Sequence, residues 1–219
     1  MNGVFRNRIE AGRLLAEKMA RYANQPNVLV LGLPRGGVPV AFEVAKALRV
    51  PLDVFVVRKL GTPGRPELAM GAIATGGVRV LNQEVVGALR ISAEKIDAVT
   101  ADETRELERR ELAYRGGYSV PEVRGKTVIL IDDGIATGST VRAAVCALKA
   151  QHPARLIIAV PVAAGSAYRE LRPEVDELVA LMTPEEFYGV GEWYRDFSQT
   201  SDTQVTDLLR QAQSWQSMC

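Results

Sequence analysis

The chain has 219 residues, 47% hydrophobic and 24% charged, the usage of an ordinary globular protein rather than of a disordered, collagenous or coiled-coil chain. At roughly 100–200 residues per domain, residues 1–219 read as one domain, large enough to need no disulfide or metal staple. With 27 Lys and Arg against 26 Asp and Glu, the net charge is +1, so no bulk electrostatic case for a nucleic-acid or membrane partner survives.

The opening Met1-Asn2-Gly3-Val4-Phe5-Arg6 lacks a long apolar core, so no secretory signal is expected. No apolar run reaches the ~18 residues of a membrane span. A soluble cytoplasmic protein is the expectation. Apolar positions Ile9, Leu14, Leu15, Met19 and Ala20 repeat at helical spacing over residues 7–22. Val28-Leu29-Val30-Leu31 reads as a strand buried on both faces. Gly32-Leu33-Pro34-Arg35-Gly36-Gly37 follows, then a helix from Val38 to Leu48. A strand is expected from Leu52 to Val57, ending in Arg58-Lys59. Gly61, Pro63, Gly64 and Pro66 then mark a loop. Met70–Ala74 and Val78–Leu81 around Gly76-Gly77 suggest a hairpin.

A long charged helix is expected from Ser92, its N-cap, to Arg115, with Glu106/Arg110 and Glu111/Arg115 as i,i+4 pairs on a solvated face. Val128–Ile131 is the most strand-like run. Asp132–Thr140 reads as a turn and Val141–Gln151 as a helix. Leu156–Val162 is another buried strand, Ala167–Leu171 a short helix and Glu177–Leu181 a last strand. The tail from Thr183 crowds Phe187, Tyr188, Trp193, Tyr194 and Phe197 together. Cys146 falls on an apolar helical stripe and reads as a buried thiol, with no disulfide to Cys219 expected. His152, before a proline at a helix exit, reads as solvated surface. One His and two separated Cys are too few for a zinc site.

Strands alternating with helices predict an α/β fold, a mostly parallel twisted sheet with helices on both faces. Its core spans about residues 28–182, with a small C-terminal hood or tail over about 183–219. Ligands of such folds sit beyond the C-terminal ends of the strands. The informative loops are therefore those after Leu31, Val57, Ile131 and Val162.

The loop after Ile131 is the richest. Val128–Thr140 reads V-I-L-I-D-D-G-I-A-T-G-S-T. Two carboxylates stand where a buried strand gains nothing from them. Ala136, Thr137, Gly138, Ser139 and Thr140 then open a helix whose backbone amides, partial positive charge and hydroxyls suit a phosphate. Carboxylates beside a phosphate cradle suit sugar hydroxyls or the water shell of a metal. The combination points to a phosphorylated polyol such as ribose 5-phosphate. Spacing excludes a Walker A loop, because Ser139 stands where its Lys should be. It also excludes G-x-G-x-x-G at Gly32–Gly37 and a D-x-D-G-T acid pair. Read as packing alone, Asp132 would be an N-cap and the glycines a turn.

Val128–Thr140 resembles the signature of type I phosphoribosyltransferases, which bind 5-phosphoribosyl diphosphate (PRPP); Gly134 departs from the aliphatic residue usual there. The resemblance implies transfer of the phosphoribosyl group from PRPP to a nitrogenous base with release of pyrophosphate. It places Asp132 and Asp133 on the ribose hydroxyls and Ala136–Thr140 on the 5-phosphate. Leu33–Gly37, with Arg35, Gly36 and Gly37, looks like the pyrophosphate loop. Gly61–Gly71 looks like a mobile catalytic loop, with Lys59 and Arg65 as catalytic cations. Since neighbouring strand residues face opposite ways, one of Arg58 and Lys59 meets the site, and Lys59 is favoured. The implied cofactor is Mg²⁺, held mainly through PRPP and water, with Asp132 and Asp133 as candidate contacts. Ala136 stands where 6-oxopurine enzymes carry an Asp, which speaks against hypoxanthine or guanine as acceptor. Tyr188 and Trp193 are either a stacking platform for the base or part of the hood's own small core or a dimer contact. The expected partners are PRPP, a base and a second copy in a homodimer. Two other readings stand beside the enzyme: a non-catalytic PRPP-binding regulator of the same fold, and another phosphosugar enzyme.

Overall fold

The computed structural model describes residues 4–216; the expectations about Met1–Gly3 and Cys219 lie outside them. Five strands form a wholly parallel sheet in the order β2-β1-β6-β7-β8: β1 Val28–Gly32, β2 Leu52–Val54, β6 Thr127–Ile131, β7 Arg155–Val162 and β8 Glu177–Met182. Alternation along each strand divides the core. Val28, Val30, Ile129, Ile131, Ile157 and Ala159 face one layer, while Leu29, Leu31, Val128, Leu130, Leu156 and Ile158 face the other. Both faces are covered, which is why these strands read as unbroken apolar runs.

On the first face lie α1 (Arg8–Lys18), α2 (Gly37–Leu48), α4 (Ala93–Arg115) and α7 (Asp202–Gln216); on the second lie α5 (Ser139–Lys149) and α6 (Gly165–Leu171). Helix α1 keeps only part of its expected face: Leu15 and, at its C-cap, Met19 are buried, but Ile9, Leu14 and Ala20 are exposed, and Ala11, Gly12 and Ala16 are buried in addition. The reason is a close approach to α2, where a Cβ on Gly12 would stand 2.8 Å from the Val40 carbonyl oxygen. The helix therefore packs on small residues around Leu15.

The expected strand Leu52–Val57 is broken at Phe55-Val56. There the chain leaves the parallel sheet for a separate antiparallel one, β3-β4-β5: β3 Val57–Thr62, β4 Arg65–Ala74 and β5 Val78–Leu81. The breaker-rich stretch expected as a loop over Gly61–Gly71 is thus a hairpin, turning at Pro63-Gly64 with Gly64 at a left-handed φ of 77°. A register shift at Gly61 admits Pro66, whose carbonyl oxygen would lie 2.8 Å from a Cβ at Gly61. Gly and Pro here shape a bulge and a turn within a sheet.

The long helix α4 forms as expected, with Glu106–Arg110 at 2.7 Å and Glu111–Arg115 at 2.9 Å. Its end is not a solvated face. Arg115 is buried, pairs with Asp53 at 3.0 Å and donates to the Val54 carbonyl at 2.7 Å, tying α4 to the sheet edge. A short helix α3 (Gln83–Ala88), capped by Asn82, was not expected. Cys146 is partly exposed rather than buried, because α5 turns it toward a groove against the hairpin sheet. The expected hood divides. Residues 183–201 hold no long helix, whereas α7 sends Val205, Leu209 and Ala212 into the main core. No described helix is long and apolar enough to cross a membrane.

Candidate functional site

Counting the parallel strands in chain order, the sheet runs 2-1-3-4-5, and its order reverses between β1 and β6. A crevice opens at such a reversal, outside the strands' carboxyl ends. Two of the four loops singled out from the sequence, those after Leu31 and Ile131, meet there. Leu33 N–H donates to the Ile131 carbonyl at 2.8 Å, joining the loop after β1 to the end of β6. The fit is close: a Cβ on Gly36 would lie 2.0 Å from Asp133 Oδ2, and one on Gly37 would lie 2.7 Å from the Ile131 carbonyl oxygen. Only glycines pass here, and their φ values need not be positive for that to hold.

Asp132 and Asp133 leave β6 at the floor of this junction. Burial, and the neighbouring Asp133 charge, push the Asp132 carboxyl well above the usual carboxylate range. Burial raises Asp133 as well, opposed by Arg8. Arg8 Nε donates to Asp133 Oδ2 at 2.8 Å, with both side chains nearly buried. Tyr194 Oη donates to the Asp133 carbonyl at 2.5 Å, and burial raises that phenol's pKa. Neither Arg8 nor Tyr194 was anticipated from the sequence. Arg8 lies 125 positions from its partner, and no local pattern connects them.

The rest of the loop is pinned to β7. Ile135 N–H donates to the Val162 carbonyl at 2.9 Å, and Ala164 N–H donates to that of Ile135 at 2.8 Å. Gly134 is explained by the tail, since a Cβ there would stand 2.5 Å from Val190 Cγ1. Gly138, at φ 72°, caps α5 without a side chain. Ala136, Thr137, Ser139 and Thr140 are exposed around that helix end. The arrangement suits an anion: amides and hydroxyls at a helix N-terminus, with no protein carboxylate bonded to them among the described residues.

The other expected residues are distributed around this centre. Arg35 is half-exposed, 3.9 Å from Asp202 at the start of α7, and Asp202 also accepts from Tyr114 Oη at 2.9 Å. Arg58 pairs with Glu103 of α4 at 2.6 Å. Its neighbour Lys59 lines a groove of about 390 Å³ between the hairpin sheet and α5, which also includes Ser139 at the start of α5. Arg65 stands on the exposed end of the hairpin, where it makes no hydrogen bond or ion pair among the described residues. Trp193 stacks on Phe187 with ring centroids 6.3 Å apart and packs beside Phe5 and Tyr194, whereas Tyr188 is 84% exposed. Trp193 thus packs within the hood, and Tyr188 stands in solvent.

The residues present do not build a resident metal site. Among the described residues no three His, Cys, Asp or Glu side chains converge, and one oxygen of Asp133 is bonded to Arg8. A hard divalent cation wants six or more oxygens, so most would have to come from substrate and water.

Comparison with known proteins accords with this geometry. The phosphoribosyl transferase domain family matches residues 5–190. The chain is 46% identical over 209 residues to a putative phosphoribosyl transferase of Mycobacterium tuberculosis H37Rv, covering 95% of this chain and 47% of that protein; it therefore spans about half the length of the curated relatives it matches. It is 33% identical over 124 residues to the bifunctional protein PyrR of Listeria welshimeri, covering 52% of this chain and 66% of that one. The crystal structure of TT1426 from Thermus thermophilus superposes with a TM-score of 0.85 at 40% identity, covering 95% of this chain and 98% of the other. On the strength of the family match across most of its length, the chain belongs to the phosphoribosyl transferase domain family.

Proposed function

We propose that the protein transfers the 5-phosphoribosyl group of PRPP to a nitrogenous base. The bond broken joins the anomeric carbon to the diphosphate, which leaves with the electron pair as pyrophosphate. The bond formed joins that carbon to a ring nitrogen of the base. The observation that carries this reading is the junction of β1 and β6, where a carboxylate pair, a helix-terminal anion cradle and a glycine loop close on one crevice.

Residues 136–140 hold the 5-phosphate through amides and hydroxyls. Asp132 and Asp133 accept from ribose hydroxyls and orient the ring for attack. Arg35, turning from Asp202, meets the diphosphate. Lys59, on a strand, adds a fixed positive charge toward the departing pyrophosphate, where charge grows in the transition state. Arg65, on the exposed end of the hairpin, completes the enclosure and excludes water, which would hydrolyse PRPP. Mg²⁺ belongs to the substrate in this scheme, carried on the diphosphate. Tyr188 offers a face to the base.

Two measurements test the proposal. In an NMR titration with inorganic phosphate, the largest amide shifts should fall on Thr137–Thr140; larger shifts elsewhere would refute the cradle. Single-turnover assays with PRPP, Mg²⁺ and a panel of purine and pyrimidine bases should release pyrophosphate with at least one base. Tight PRPP binding without release for any base would replace the enzyme with a regulator that senses PRPP.

A further inference from the structure

The ion pair between Arg8 and Asp133 is the feature of the site that the sequence motif does not contain. Asn7 and Glu10 fix Arg8 in place by capping the start of α1: Glu10 N–H donates to Asn7 Oδ1 at 3.0 Å, and the Glu10 carboxylate accepts from Arg6 N–H. The guanidinium is held on several sides, its carbon lying 5.9 Å from the centre of the Tyr194 ring. Nε donates to Asp133 Oδ2 at 2.8 Å, Nη1 donates to the Ser198 carbonyl at 2.8 Å, and its carbon lies 4.0 Å from the centre of the Phe197 ring. Asp133 faces Arg8 on one side, Asp132 on another, the Tyr194 hydroxyl at its carbonyl and the Gly36 backbone above.

Anchoring the N-terminal segment does not require this pair. Phe5 N–H donates to the Trp193 carbonyl and Arg195 N–H to that of Phe5, each at 2.8 Å, while Asp196 N–H donates to that of Arg6 at 3.0 Å. Nor does stability call for it, since burying two charges costs desolvation that their attraction often only matches. What the pair does is immobilise one oxygen of a carboxylate in the candidate sugar site.

We propose that Arg8 is a positioning residue of that site: it holds one Asp133 oxygen so that the carboxylate is set for a ribose hydroxyl to donate to the other. The N-terminal turn of α1 is then a working part of sugar recognition. This rests on the assignment of Asp133 to the ribose given above.

The test compares affinities for inorganic phosphate and for ribose 5-phosphate in wild type, R8Q, R8K, D133N and R8Q/D133N, by calorimetry. The ratio of the two affinities reports on the sugar contacts alone, and a merely structural role for Arg8 would not move it. R8Q should leave phosphate affinity unchanged and lower the ratio about tenfold, the weight of one charge-assisted contact. R8K, which keeps the charge without the planar fork, should recover part of it. R8Q/D133N should lose no more than D133N, because the two residues act as one unit. Equal weakening of both ligands in R8Q, or losses that add in full in the double variant, would overturn the inference while leaving the ribose assignment standing. A wild type that binds ribose 5-phosphate no better than phosphate would overturn both. If R8Q does not fold, the ratio in R8K and in R8K/D133N decides by the same criteria.

Discussion

Gly36→Ala isolates the closest contact in the crevice. The backbone at Gly36 has φ −64° and ψ −31°, which alanine adopts without strain, so whatever the substitution does is steric. The new methyl would lie 2.0 Å from Asp133 Oδ2, 2.7 Å from its Cγ and 3.3 Å from Arg8 Nε. Real Cβ atoms essentially never approach closer than 3.0 Å, so the carboxylate must retreat by about 1 Å. That retreat disturbs its 2.8 Å bond to Arg8. Overpacking of this kind costs about 1–3 kcal/mol, which in a chain of this length lowers the melting temperature by roughly 2–4 °C per kcal/mol. The effect on ligand should be larger in proportion. A 1 Å misplacement of an orienting group is worth up to about 10²-fold in rate, so PRPP turnover should fall at least about tenfold. Inorganic phosphate, held by residues 137–140, should bind as before. The assay pairs thermal unfolding with phosphate calorimetry and pyrophosphate release. Unchanged turnover in a folded G36A protein would refute the placement of Asp133 against the ribose.

Asp132→Asn should raise the melting temperature at neutral pH. Burial lifts the Asp132 pKa above its unfolded value, so the native state keeps that proton longer than the unfolded chain, and stability falls as pH rises through this window. The gap between variant and wild type should be smallest at about pH 4 and widen as pH rises; a gap that narrows with pH would contradict the assignment. Lys59→Ala and Arg65→Ala should leave ribose 5-phosphate binding nearly intact and slow single-turnover pyrophosphate release, each by about 2–4 kcal/mol of transition-state stabilisation. For Arg65 the loss should fall mainly on the chemical step, for Lys59 on PRPP affinity as well. Arg115→Ala should destabilise the fold by about 3–5 kcal/mol in denaturant melts, because Asp53 is left buried without its partner.

The parallel sheet was legible because burial on both faces writes itself as uninterrupted apolar runs, at Val28–Leu31, Val128–Ile131 and Leu156–Val162. The two crevice loops were legible because small residues and adjacent acids after such runs have little packing use. The hairpin over Val57–Ala74 was not, since Gly61, Pro63, Gly64 and Pro66 carry the composition of a loop while building a bulge and a tight turn. Helix α7 carries a local signal at its start. Ser201 and Gln204 form a reciprocal cap, with Gln204 N–H donating to Ser201 Oγ at 3.1 Å and Ser201 N–H to Gln204 Oε1 at 2.8 Å, and Val205, Leu209 and Ala212 continue the buried face. The small-residue face of α1 was masked by Ile9 and Leu14, which point to solvent. The contacts that finish the site, Arg8 to Asp133 and Tyr194 to the Asp133 carbonyl, join the two ends of the chain to its middle. No periodicity or spacing encodes such pairs.

The location of the site also follows from where the fold accepts unfavourable local choices. After β2, Phe55 and Val56 are buried and their backbone amides bond to the Gly32 carbonyl and to Thr75 Oγ1. After β7, Ala163 and Ala164 are buried and their amides donate to Met182 and Ile135. Those two strand ends are spent on packing. After β6 the chain instead draws two adjacent carboxylates partly out of solvent, each with its proton affinity raised by desolvation, and of the two Asp133 is the one paired to an arginine. After β1 it gives up side chains at Gly36 and Gly37 to let the loops touch. Each of these choices lowers stability, and a sequence keeps such choices where function requires them. Because they converge on the single reversal of strand order, the β1–β6 crevice, rather than the groove between the hairpin sheet and α5, is where the proposed sugar-phosphate site falls.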